Sequence, residues 1–327
     1  MKNKTYGQNW PAYDAAQIDE KTNLLPLAHD LCAGVVANVP QSLGRPRLPI
    51  ADMLFCMLLK VYSLMSCRRA MSDLKAAYKA GFISRLPHYK SILRYFGVSE
   101  LRPYLVQMVI ESSCALKHVE STFSIDSTGF STSRFGLWID ARFGRSKISD
   151  KRKWVKAHMM CGVLTNIVTA VEVSPANAGD SPYLKDLLES TARNFEIKAV
   201  CGDKAYSSLE NLKLIRNRGA MPFIPFKVNA NAVHGTGDAL WTRLYHFYAG
   251  NQQWFRERYH KRSNSETTNA MIKTKFGERL RSRTEVAQYN ELLCKVVCHN
   301  ICVTIQSMYE FGIEPSFWND EKKGQAA

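Results

Sequence analysis

The chain has 327 residues, of which 46% are hydrophobic and 22% are charged, and its formal net charge is +15. This composition is typical of a folded globular protein and excludes a disordered chain. No apolar run reaches the ~18 residues that a bilayer span needs, and the N-terminus lacks the apolar region of a secretory signal, so we expect a cytoplasmic protein with no membrane partner. The positive charge predicts a polyanionic partner, namely DNA, RNA or an anionic membrane surface.

The nine cysteines are an odd number without a CxxC pair, which is typical of reduced thiols in the cytoplasm. Three of them, Cys294, Cys298 and Cys302, recur every four residues beside His299. A metal site is one interpretation of this stripe. Packing on a buried helix is the favoured one, because free cysteine is among the most buried residue types.

The first third of the chain predicts helices. Residues 1–22 are polar and aromatic without a period, and are predicted to be a flexible arm, whereas 23–118 are predicted to be a helical DNA-binding domain. Its helices are expected at 24–39, 50–66, 71–80, 88–97 and 99–118. Short helices joined by tight turns are typical of a helix-turn-helix-like module. Lys90 and Arg94 could contact phosphates or bases there, and a plain helical bundle with a basic surface is the alternative.

From residue 119 to 312 the pattern changes to strands and helices. Strands are predicted at 121–126, 154–164, 167–174, 198–203 and 221–226, with a turn or short strand at 134–144. Helices are predicted at 179–195, 207–218, 241–257, 259–276 and 284–312. Residues 227–257 are read as a short insertion and 313–327 as a tail. Three antiparallel strands followed by alternating helix and strand predict an α/β class, an RNase H-like mixed sheet with flanking helices, preceded by the all-α domain.

The segment RYHKRSNSETTNAMIKTKF at 258–276 has an unusual ionic face. If 259–276 is helical, residues Tyr259, Arg262, Glu266, Asn269 and Lys273 are three or four apart and share one face. One carboxylate flanked by two cations suits a site that holds a divalent metal and phosphate oxygens. The alternative is a solvated face with an Arg262–Glu266 pair, which contributes little to stability.

The spacing Tyr259-x2-Arg262-x3-Glu266-x6-Lys273 resembles the signature of DDE transposases of prokaryotic insertion sequences. In that family the Glu is the third catalytic carboxylate, and two catalytic Asp lie upstream, each at the end of a buried strand.

Two aspartates match this expectation. Asp126 ends a predicted strand in FSIDSTGF and Asp203 ends another in AVCGDKAYSS, both in contexts similar to those of the family. Taken singly, an Asp at a strand end is more often a turn former or a cap.

The resemblance implies a transposase that binds terminal inverted repeats in double-stranded DNA, cleaves the element ends and joins the 3′-OH ends to target DNA. It also implies a homodimer on paired ends, associated with the nucleoid. Asp126, Asp203 and Glu266 would hold two Mg²⁺ ions, with Mn²⁺ as a substitute, for in-line displacement at phosphorus. An RNase H-like nuclease without strand transfer and a non-catalytic DNA-binding protein derived from a transposase are the alternatives.

The resemblance also implies secondary roles. Further contacts to the DNA end are expected from Tyr259, Arg262, Lys273 and Lys204. Trp241 and Trp254 lie where some relatives use an aromatic to stack on a flipped base, although core packing is the favoured interpretation of either.

Two other polar residues are given structural interpretations. His158, in mid-strand, is read as a core histidine, and Asp180 as the N-cap of the helix that follows it.

Overall fold

The structure is a computed structural model that describes residues 9–35, 47–132, 154–233, 237–259 and 263–318. The predicted element at 134–144 and Arg262 lie outside the described residues. The chain divides into two compact units. The helical unit consists of Met1–Ala115 with Asn290–Ala327, and the sheet unit consists of Leu116–Tyr289.

The described residues of the helical unit form six α-helices before the sheet begins. They are α1 (Trp10–Ile18), α2 (Glu20–Ala33), α3 (Ile50–Tyr62), α4 (Met71–Lys79), α5 (Tyr89–Phe96) and α6 (Arg102–Ser113). The first two correct the prediction of a flexible arm over 1–22, at least from residue 9 onward. The side chain of Asn9 accepts a hydrogen bond from the amide of Ala12 and caps α1, which also has a proline in its first turn. Ala16 and Leu24 are buried.

A long last helix, α12 (Glu285–Phe311), returns to the helical unit from residue 290 onward, although the sequence placed it with the sheet. The amide of Asn290 donates to the carbonyls of Phe96 and Val98, each at 2.9 Å. Cys294, Cys298 and Cys302 are all buried, which supports the packing interpretation of that stripe. By length and composition α12 could cross a membrane. However, 83% of its most apolar 18-residue stretch is buried inside the protein, as in a core helix.

The sheet unit is built on five strands. They are β1 (Thr122–Ser131), β2 (Trp154–Gly162), β3 (Val168–Pro175), β4 (Ala199–Gly202) and β5 (Met221–Phe223). Their order in the sheet is β3-β2-β1-β4-β5. The first three form an antiparallel meander, while β4 is parallel to β1 and β5 is parallel to β4. This mixed sheet with flanking helices confirms the RNase H-like α/β prediction.

The two faces of the sheet have different partners. Phe123 and Ile125 of β1 belong to a core that includes side chains of α7 (Leu184–Ala192) and α8 (Leu209–Asn217). Because side chains alternate along a strand, Asp126 points to the opposite face. Helices α10 (Gln252–Tyr259) and α11 (Ser263–Phe276) contact that second face. The predicted insertion at 227–257 is helical in its second half, where α9 (Ala239–Gly250) precedes α10.

Candidate active site

Asp126 and Asp203 lie side by side on neighbouring strands. In the parallel pairing of β1 with β4, Ile125 is the partner of Gly202, and each aspartate is the next residue along its chain. Neighbouring strands are ~4.8 Å apart, and residues at matching positions of a parallel pair point to the same face. The strand register therefore brings together two carboxylates that the sequence places far apart.

Asp203 marks the point where the chain leaves β4. Its backbone is extended, with φ −78° and ψ 173°, and its Oδ1 accepts a hydrogen bond from the amide of Ala205 at 2.8 Å. This cap fixes the direction of the carboxylate, because it ties the side chain to the short turn Lys204–Tyr206.

The buried hydroxyl of Tyr206 is within the electrostatic influence of three aspartates. The residue is 1% exposed, and its hydroxyl has no hydrogen-bond partner among the described residues. Burial raises the pKa of this hydroxyl, and the negative charges of Asp180, Asp126 and Asp203 raise it further. Since an anion at Tyr206 would be repelled by all three carboxylates, their negative potentials overlap at this position.

Glu266 is carried by α11, whose buried face is unusually polar. That face consists of Ser265, Thr268, Asn269, Ile272 and Phe276, while Glu266 itself is exposed. The side-chain amide of Asn269 donates a hydrogen bond to Oδ2 of Asp126 at 3.1 Å. Glu266 lies three residues before Asn269, about one helical turn away. The hydrogen bond from Asn269 to Asp126 therefore holds the helix that carries Glu266 against β1.

The N-terminal end of α11 is anchored on the turn between β2 and β3. Asn264 donates a short hydrogen bond to the carbonyl of Val163, and the Thr268 hydroxyl donates to Oδ1 of Asn166 at 3.1 Å. Asn166 has φ +66°, a left-handed conformation that asparagine tolerates better than most residues. These bonds fix the helix at a second point.

Glu120 supports the same turn from inside the protein. Its Oε1 accepts hydrogen bonds from the amide and the hydroxyl of Thr165, at 2.6 and 2.8 Å. Burial raises the pKa of Glu120 above its usual value, against the opposing effect of these bonds. Gly162 leaves room for the carboxylate, because a Cβ there would lie 2.4 Å from its Cδ.

The arrangement so far is an acidic edge of an RNase H-like sheet with a glutamate-bearing helix docked against it. The family model of the transposase DDE domain matches residues 117–301, which is more than half of the chain. The chain belongs to the DDE transposase family. Its resemblance to transposases of insertion sequences is thereby confirmed. A search of curated proteins finds no match.

DDE transposases generally depend on divalent metal ions, and the donor chemistry of this transposase fits them. Asp126, Asp203 and Glu266 offer only carboxylate oxygens, which hard cations such as Mg²⁺ and Mn²⁺ prefer. Among the described residues no three His, Cys, Asp or Glu side chains form one metal-binding group. The neighbouring Asp126 and Asp203 could together hold one divalent ion.

Three of the predicted DNA contacts of the transposase lie in described parts of the sheet unit. Lys273 is half-buried, with Nζ 3.9 Å from Glu278 and 5.5 Å from the centre of the Phe130 ring. Tyr259 is half-buried and stacks on Phe255 with ring centres 6.3 Å apart. Lys204 is exposed immediately after Asp203.

The two tryptophans have different environments. Trp241 is 6% exposed, its indole N–H donates to the carbonyl of Asn231 at 2.9 Å, and its ring packs edge-on against Phe226. It is therefore a core residue. Trp254 is 37% exposed, and the guanidinium of Arg258 lies 3.9 Å from its ring centre. Of the two, only Trp254 presents a ring near the surface of the transposase.

His158 and Asp180 form a polar cluster on the other face of the sheet. The ring of His158 is buried, and its Nε2 lies 2.8 Å from the Ser174 hydroxyl, as expected of a core histidine. The predicted N-cap role of Asp180 is wrong, because its side chain makes no capping hydrogen bond. Its Oδ1 lies instead 2.6 Å from Nζ of Lys156 and 3.3 Å from Nδ1 of His158. The attraction between the Lys156 ammonium and the Asp180 carboxylate therefore replaces the predicted capping hydrogen bond.

Sequence reasoning assigned no role to Asn269, although it recognised the shared face. The available signal was its position three residues after Glu266 on a helix whose buried face lacks the usual leucines. The turn contacts of Glu120, Thr165 and Asn166 gave no such signal, because they depend on the register of distant segments.

Proposed function

We propose that this transposase binds the terminal inverted repeats of an insertion sequence, cleaves DNA at the element ends and joins the 3′-OH ends to target DNA. The observation that carries the proposal is the strand register that sets Asp126 beside Asp203, with the Glu266 helix bonded to Asp126 through Asn269. These three carboxylates come from two strands and one helix, as two-metal phosphoryl transfer needs.

The reaction consists of two in-line displacements at phosphorus. In the first, a water oxygen attacks the phosphorus at the element end, the bond from phosphorus to O3′ breaks, and the water proton passes to solvent. In the second, the released 3′ oxygen attacks a phosphorus of the target, and one phosphodiester bond forms as another breaks. When bound, two Mg²⁺ ions, or Mn²⁺ in their place, would activate the attacking oxygen and stabilise the charge on the leaving oxygen.

The acidic residues have distinct tasks in this scheme. Asp126 and Asp203 would hold one metal ion, and Asp126 and Glu266 would hold the other. Asn269 holds Asp126 in place through the hydrogen bond at 3.1 Å. The hydrogen bond from the amide of Ala205 holds the carboxylate of Asp203 in the same way.

The DNA is held by basic and aromatic groups around these carboxylates. Lys204 and Lys273 bind phosphates of the DNA end, together with Tyr259 and Arg262. Trp254 is the residue that stacks on a base. The net charge of +15 attracts DNA over longer distances.

The helical unit binds the terminal repeats. Lys90 and Arg94 are exposed on α5 and contact the DNA there. Two copies of the chain act as a homodimer that holds the paired ends of the element.

The test is a reaction of the purified protein with labelled terminal repeats, taken from the DNA that flanks the gene, a target plasmid and Mg²⁺. Products in which a repeat end is joined to the plasmid are expected. Cleavage without joined products would favour an RNase H-like nuclease. Binding without cleavage would favour a non-catalytic protein derived from a transposase.

A further inference from the structure

A basic cleft opens on the surface of the helical unit. It encloses about 410 Å³, which lies within the range of ligand-binding clefts. Three arginines, Arg47, Arg85 and Arg94, line it, and Ser91 and Tyr95 add hydroxyl groups. No aspartate or glutamate is among the described residues that line the cleft.

Three separate segments build the walls of this cleft. Arg47 precedes α3, Arg85 belongs to the segment between α4 and α5, and Arg94 lies on α5 itself. Ser91 and Arg94 are three residues apart on α5 and so share a face, while Ile92 and Phe96 of the same helix are buried.

A hydrogen bond connects two of these segments. The Tyr95 hydroxyl donates to the carbonyl of Leu48 at 3.5 Å, a long bond that joins α5 to the segment before α3. This bond holds the segment that carries Arg47 against the helix that carries Arg94.

The positive charge of the three cleft arginines is largely uncompensated by carboxylates of the helical unit. Among the described residues, no ion pair joins any of the three arginines to a carboxylate. Asp52 accepts hydrogen bonds from the amide and the hydroxyl of Ser84, at 2.9 and 2.6 Å. Hydrogen bonds from its own backbone and from Ser99 lower the pKa of Glu100, and Arg47 contributes least of the causes that lower it. Three like charges around one cleft repel one another until an anion enters.

We propose that this cleft binds backbone phosphates of double-stranded DNA, with Arg85 and Arg94 as its principal ligands. The inference rests on the proposed function, because the DNA is that of the element ends. A planar guanidinium donates two parallel hydrogen bonds to a phosphate, which a lysine cannot do. Side chains that converge from three segments can surround one phosphate of the DNA backbone. Recognition of bases instead uses several side chains in a row along one helix in the major groove. Lys90, exposed on α5, would extend the contact to a neighbouring phosphate.

The test measures binding of the full-length protein to a short fluorescent duplex of mixed sequence, by anisotropy across a series of salt concentrations. Arg85→Ala and Arg94→Ala should each weaken binding about tenfold. Each should also reduce the slope of log K against log salt by about 0.9, the value for one lost phosphate contact. Arg94→Lys should keep most of the salt slope but bind more weakly than the wild type.

Arg69→Ala is the matched control, since Arg69 is an exposed arginine of the same unit outside the cleft. Binding and slopes of the cleft variants equal to those of Arg69→Ala would overturn the proposal. A loss confined to repeat duplexes and absent from the mixed duplex would also overturn it, because it would indicate base reading. If the cleft variants lose binding as expected but the wild type yields no joined products, the proposed function fails and the cleft assignment stands.

Discussion

The side-chain amide of Asn269 donates a hydrogen bond to Oδ2 of Asp126 at 3.1 Å, across a sequence separation of 143 residues. Asn269 is 8% exposed, so the bond is largely shielded from water. It fixes both the position of an Asp126 oxygen and the rotation of α11 about its axis. Because Glu266 lies one turn away on that helix, the same bond sets where Glu266 stands relative to β1.

Replacing Asn269 by alanine should therefore reduce DNA cleavage about 10- to 100-fold, the usual cost of losing a group that orients a metal ligand. The Mg²⁺ concentration for half-maximal cleavage should rise, because Asp126 loses its orientation, while duplex binding stays at the wild-type level. Thr267→Ala is the control, since the Thr267 side chain is exposed and bonds only within α11. An unchanged Mg²⁺ dependence in Asn269→Ala would contradict the positioning role.

Neutralising the three carboxylates in turn should abolish catalysis and spare DNA binding. Asp126→Asn, Asp203→Asn and Glu266→Gln should each lower cleavage about a thousandfold or more, as when one member of a catalytic unit is removed. Duplex binding should hold or strengthen, because a negative charge that repels phosphates is gone. Asp186→Asn, on the exposed side of α7, controls for the change of charge. Full activity of Glu266→Gln would remove Glu266 from the catalytic set.

Much of the sheet could be predicted from the sequence, because its signals are local. Phe123 and Ile125 alternate with Ser124 and Asp126, so the start of the strand and the side of the sheet to which Asp126 points could be read directly. The predicted end of the strand at Asp126 is wrong, because β1 continues to Ser131 in its pairing with β2. The RNase H-like class then followed from the succession of strands and helices along the chain. The identity of the three acidic residues came from the spacing that resembles the family.

What could not be predicted depends on contacts between distant segments. The bond from Asn269 to Asp126 and the docking of Asn290 on α5, 194 residues away, leave no periodic trace in the sequence. The first helix was missed for a different reason. α1 has weak apolar periodicity and is recognisable mainly by the Asn9 cap, and the lack of a period led to the prediction of an arm.

The buried His158 predicts how stability depends on pH. Burial lowers its pKa from 6.5 to about 4, Lys156 lowers it too, and Asp180 partly opposes them. Below 6.5 the unfolded chain binds a proton that the folded protein does not, so stability should fall as the pH drops from 6.5 towards 4. The loss should amount to at most about 3 kcal/mol.

Urea unfolding of the wild type and His158→Gln, above and within that pH window, measures this contribution. The variant is expected to be less stable at every pH but to show a shallower decline on acidification. His118→Gln, which changes an exposed histidine of the same unit, should retain the wild-type slope. A slope in His158→Gln as steep as that of the wild type would show that other groups cause the decline.

The two tryptophans should separate a packing role from a DNA-binding role. Trp241→Ala should lower the free energy of unfolding by about 3–5 kcal/mol, since it empties a core position and leaves the Asn231 carbonyl without its donor. Trp254→Ala should cost less, about 1–2 kcal/mol, because the ring is partly exposed, although it loses its contacts with Arg258, Phe223 and Phe247. If Trp254 stacks on a base, its variant should also cleave repeat DNA more slowly while remaining folded, and Trp254→Phe should restore part of the rate. Equal destabilisation by the two alanine variants in urea unfolding would contradict this difference in burial.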